Sequence, residues 1–73
     1  VLSKESIFIN VCQEIEQMGI EKYHGKIKIK LCPEVAKYFT ERKDRLNELF
    51  NKDIEIIPTD AVDREDCNII LEQ

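Results

Sequence analysis

The stretch Lys26-Ile27-Lys28-Ile29-Lys30-Leu31, KIKIKL, decides the fold. Strict alternation of charged and apolar residues is the period of a strand with one buried face. It turns Ile27, Ile29 and Leu31 towards a core and Lys26, Lys28 and Lys30 the other way. What those lysines meet is the first functional question: water, acidic side chains of the same sheet, or a nucleic acid.

Upstream, Ser3 is a good helix N-cap, because its hydroxyl can accept from a free amide of the first turn. Leu2 and Ile7 stand at the spacing of a hydrophobic staple. A helix is predicted from Lys4 to Met18, with Ile7, Val11, Ile15 and Met18, flanked by Phe8 and Cys12, forming its apolar stripe. Gly19 suits a left-handed cap, after which Ile20 folds back towards Ile15.

Downstream, Pro33 starts a second helix, since a missing N–H costs nothing at the first helical position. Val35, Tyr38, Phe39, Leu46, Leu49 and Phe50 mark its inner side, but TERKDR, Thr40 to Arg45, interrupts that stripe with five charges. The segment is one kinked helix or two short ones, with two pieces in near continuity preferred. A second strand is predicted over Asp53 to Ile57, closed by Pro58. TDAVDRED, Thr59 to Asp66, reads as a polar loop, and Cys67 to Leu71 as a third strand. Strand–helix–strand order favours a parallel pair with a right-handed crossover, and the last two strands are expected to pair antiparallel. The predicted fold is α+β: a two-layer sandwich of order α-β-α-β-β, its three-stranded mixed sheet carrying two main helices on one face.

The chain has 73 residues, enough for one small domain that buries roughly 60% of its unfolded surface. It opens on Val1, which suggests a piece of something longer. No apolar run reaches the ~20 residues of a membrane span. Cys12, Cys32 and Cys67 are odd in number and lack zinc-knuckle spacing. Such a set suits a reducing, cytoplasmic setting, with the thiols packed as small hydrophobes.

A net charge of −4 argues against a general phosphate-binding surface. The charge is uneven. Ile20 to Arg45 holds eight basic and four acidic residues, whereas Leu46 to Gln73 holds two and eight. On the expected open face, Asp53, Glu55, Asn68 and Glu72 can meet the lysine row, at about 0.2–1 kcal/mol per opposed pair. Sheets that read single-stranded RNA place aromatic platforms among their basic residues, and none is expected on this face. Lysine charge without stacking gives weak, salt-sensitive contact. Possible RNA-contacting residues are therefore Lys26, Lys28, Lys30 and the basic cluster Arg42, Lys43 and Arg45. Ile57 and Ile70 are apolar positions on that charged face and candidates for an oligomer contact.

Reactive constellations are scarce. His24 is the only histidine, set beside Gly25 in a turn. Asp60, Asp63, Glu65 and Asp66 lack the spacing and central glycine of a calcium loop. With two glycines in the chain there is no phosphate-binding glycine loop. Cys32 precedes a helix N-terminus, where a thiol pKa falls, but with no base nearby in sequence a capping or buried role is preferred. No catalytic, cofactor or metal residue is assigned.

The stretch KIKLCPEVAKYFTERKDRLNELFNKDIEIIP, with VCQEIEQMG before it and DREDCNIIL after it, resembles the small C-terminal domain of the ribonuclease E/G family of bacterial endoribonucleases. The resemblance covers nearly all the chain and rests on patterned apolar positions. In that family, cleavage of single-stranded RNA depends on magnesium held by aspartates of an earlier, larger domain. A Cys-Pro-x-Cys zinc link precedes the small domain. Neither motif occurs here, so the parent's magnesium and structural zinc are not assigned to any residue of this chain. The family's small domain helps arrange protomers. The resemblance thus implies a non-catalytic scaffold or oligomerisation domain in RNA processing, with self-association or the rest of a parent endoribonuclease as partner and no membrane. The alternative is a small RNA-binding module using the lysine-lined face.

Overall fold

In the computed structural model, residues 1–72 are described. The elements run α1 (Lys4–Gln17), a single 3-10 turn (Ile20–Lys22), β1 (Lys26–Leu31), α2 (Pro33–Thr40), α3 (Lys43–Phe50), β2 (Ile54–Pro58) and β3 (Asn68–Glu72). The fold is α+β, with three helices and one three-stranded mixed sheet.

Each helix starts and stops for a local reason. The Ser3 hydroxyl accepts from the Ser6 amide at 3.1 Å and caps α1. Gly19 takes the left-handed conformation expected of it, at φ 64°, and Ile20 turns back into the core. Pro33 opens α2 after Cys32. The charged interruption splits the second helix: α2 ends at Thr40, and α3 begins at Lys43. Asn51 closes α3 in the left-handed region at φ 51°. Asparagine tolerates that region better than most residues, because its short amide can bond locally. Asn51→Val should therefore lower stability by about 1 kcal/mol, while Asn51→Gly leaves it within a few tenths. Urea midpoints of the two variants check this.

The alternation in KIKIKL is realised in full. Ile27, Ile29 and Leu31 are fully buried, and the three lysines are not. One apolar core joins these residues to Ile54, to Ile7, Phe8, Val11, Cys12 and Ile15 of α1, to Val35, Ala36 and Phe39 of α2, and to Leu46 of α3. Two inner-stripe expectations need correction. Met18 lies just past the end of α1 and is exposed. Leu49 is 58% exposed, because α3 spans only two turns and turns Leu46 and Phe50, four residues apart, towards the core. Leu71 alternates to the inner side but is 40% exposed at the sheet margin.

The sheet order is β2-β1-β3, with β1 and β2 parallel and β1 and β3 antiparallel. The strand–helix–strand unit is therefore parallel, as expected. The expected pairing of the last two strands is not formed: β3 lies on the far side of β1 from β2. Two features make the outer side of β2 unsuited to another strand. The Asn47 side-chain oxygen accepts from the Ile54 amide at 3.1 Å, and Pro58, paired with Leu31, has no N–H to offer. The strands are also shifted by one residue from expectation, β2 taking in Pro58 and β3 running from Asn68 to Glu72.

The loop between β2 and β3 fastens the molecule's start. Arg64 donates to the Leu2 carbonyl at 2.6 Å and to Glu34 at 2.9 Å, and Glu65 accepts from the Leu2 amide at 2.7 Å. The helix starts of α1 and α2 are thereby tied to one loop.

Candidate functional site

The site is the sheet face opposite the core. It is built from alternate residues of three strands: Glu55 and Ile57 on β2, Lys26, Lys28 and Lys30 on β1, and Asn68, Ile70 and Glu72 on β3. None of these residues is buried. Register sets them in rows. Lys28 lies between Glu55 and Ile70, Lys30 lies between Ile57 and Asn68, and Lys26 lies beside Glu72.

Two of the three lysines are paired within the sheet. Lys26 meets Glu55 at 2.9 Å, and Lys28 meets Glu72 at 3.0 Å. In both cases the partner is the diagonal neighbour rather than the residue directly opposite, a reach that long side chains have on a sheet. The hydrogen bond from the Lys26 ammonium holds the Glu55 carboxyl below its ordinary range, and the same bond raises Lys26 above its own. Both groups are solvated, so the effect on stability is small. Among the described residues Lys30 has no ion-pair partner. Its neighbours across the strands are apolar Ile57 and neutral Asn68.

The other basic candidates do not join this row. The Arg42 guanidinium stacks 3.5 Å from the centre of the Tyr38 ring, donates to the Tyr38 carbonyl at 3.0 Å and lies 3.7 Å from Glu41. Arg45 stands over the Phe8 ring at 5.6 Å, on the helical side of the molecule. Lys43 opens α3 and acts on Glu55 only as a more distant charge. The six basic residues proposed from the sequence are thus divided among separate surfaces. Ile57 and Ile70 do share the sheet face, half-buried on opposite edge strands, with Lys28 and Lys30 between them.

Sequence reasoning missed several contacts, since each joins residues far apart in the chain. The Cys67 thiol donates to Glu14 at 3.3 Å. Lys52 donates to the Tyr23 carbonyl, fixing the turn before β1. A Cβ at Gly25 would collide with the Glu72 carbonyl and the Tyr23 ring, so β3 passes close to that turn only because residue 25 is glycine. Among the described residues the Tyr23 hydroxyl is buried there without a partner, and burial first, then the Glu72 carboxylate, pushes its pKa up.

Burial, and then the hydrogen bond to Glu14, pushes the Cys67 thiol up to about 12 from an ordinary 9.0. The folded state therefore favours the protonated thiol. That contribution is complete below pH 9.0, the unfolded value, and is lost as pH rises through about 12. Cys67→Ser keeps a donor for Glu14 but cannot ionise in this range. Urea unfolding at pH ~8 and ~10.5 should show a smaller loss for the variant than for wild type.

Among the described residues, no group of three or more His, Cys, Asp or Glu side chains is placed to hold a metal ion. No helix among them is long and apolar enough to cross a membrane. Compared with protein-family models, with curated proteins and with solved structures, the chain gives no match.

Proposed function

We propose that this domain is a scaffold: a contact module through which copies of a chain assemble, of the kind the ribonuclease E/G small domain represents in RNA processing. The observation that carries the reading is the pairing of Lys26 with Glu55 and of Lys28 with Glu72. A sheet built to hold phosphates would leave its cations free and interleave rings for bases to stack on. This face instead pairs its charges internally and holds two isoleucines, apolar spots of the kind that mark a contact with protein. Under this reading the chain works in the cytoplasm beside the nuclease part of its parent, which supplies the magnesium chemistry.

Sedimentation of the purified chain over a concentration series tests the proposal. The expected result is a mass that rises from monomer towards dimer or beyond as concentration increases. A strictly monomeric mass throughout, or RNA cleavage by this chain with added magnesium, would overturn it.

A further inference from the structure

The two edges of the sheet differ in a way that specifies how copies could meet. Natural sheets protect their edges with proline, charge or a covering element. β2 is protected: Pro58 lies in it, and Asn47 takes the amide of Ile54. β3 has neither device. Among the described residues it pairs only with β1, and its sequence, Asn68-Ile69-Ile70-Leu71-Glu72, contains no proline and no lysine, with its one charge at the end of the strand.

We infer that β3 is the assembly edge and that its occupant is β3 of a second copy, paired antiparallel about a two-fold axis through Ile70. The inference rests on the self-association proposed above and supplies its geometry. A two-fold axis normal to the sheet keeps each side chain on its own face, so residues of equal parity must pair. The axis through Ile70 is the register that pairs all five residues: Asn68 with the second copy's Glu72, Ile69 with its Leu71, and Ile70 with its Ile70.

Three observations favour that register. On the core side, Leu71 is 40% exposed and Ile69 half-buried, and each would gain an apolar partner. On the charged side, no like charges stand directly opposite. Lys30, which lacks an acidic partner among the described residues, lies beside Asn68, and the second copy's Glu72 would come next in that row. The result is a continuous six-stranded sheet, and strand addition supplies backbone hydrogen bonds along its join.

Two substitutions and one cross-link test the inference. Ile70→Lys places like charges across the axis and should weaken self-association by roughly tenfold or more. Leu49→Lys, which puts the same charge on an exposed apolar position of α3, should sediment like wild type. Under air oxidation, Ile70→Cys should form a covalent dimer faster than wild type, because antiparallel partners bring α-carbons to about 4.5–5.5 Å, within disulfide reach. If wild type associates but Ile70→Lys does so equally, or Ile70→Cys cross-links no faster than wild type, the edge pairing is wrong while the scaffold reading stands. If wild type never associates, both fail.

Discussion

Phe39→Ala is expected to remove about 3–5 kcal/mol of stability. The ring is fully buried in the last turn of α2. It packs against Phe8 with centroids 5.0 Å apart, and Phe8 in turn meets Tyr38 edge-on at 6.1 Å. Removing Phe39 leaves a cavity where α1 and α2 join, and neither helix can close it without withdrawing from the shared core. A domain of this length has roughly 4–11 kcal/mol in total, so the variant should be unfolded in part at room temperature. Its melting temperature, followed by circular dichroism, should fall by about 15–30 °C. A fall of only a few degrees would mean that the core is centred elsewhere.

The second large effect is a contrast between neighbours. Ile29→Ala should cost about 2–5 kcal/mol, whereas Lys30→Ala should change stability by no more than about 0.5 kcal/mol. Ile29 is fully buried and flanked by Ile56 and Ile69 on the two adjoining strands. Lys30 faces the other way, without an ion pair among the described residues to lose. One position along the strand thus separates a core residue from a surface one. Urea denaturation of the two variants measures it, and similar losses at both positions would contradict the assigned faces.

Much of this architecture was legible in the sequence, because the signals were local. Ser3, Gly19 and Pro33 act within one helical turn of themselves, and the KIKIKL alternation needs no partner to be read. The charged break in TERKDR also announced the split between α2 and α3. The partner of β3 was not legible. Adjacency in the chain favoured β2, but the Asn47–Ile54 hydrogen bond and the position of Pro58 become visible only once α3 is folded against β2. The failure at Leu49 has a similar cause: helix breaks rephase a stripe, and which column then faces the core depends on packing.

The face carrying the site was read correctly as a meeting of lysines with acids, though the diagonal pairing was not. Arg42, Lys43 and Arg45 were grouped with the strand lysines on charge alone. Arg45 in fact covers Phe8 and Arg42 covers Tyr38, where their guanidinium groups stack on rings. The Arg64 clamp on Leu2 and Glu34 spans nearly the whole chain and left no trace in any local pattern.

Two of the three strand lysines are paired inside their own sheet, and the row is not a phosphate-binding surface. Titrating the chain into a fluorescently labelled single-stranded RNA, at physiological salt and again at low salt, tests it directly. Binding is expected to be weaker than roughly 100 μM at physiological salt, unchanged when Lys26, Lys28 and Lys30 all become glutamine. Saturable micromolar binding that falls steeply with salt and disappears in the triple variant would contradict it.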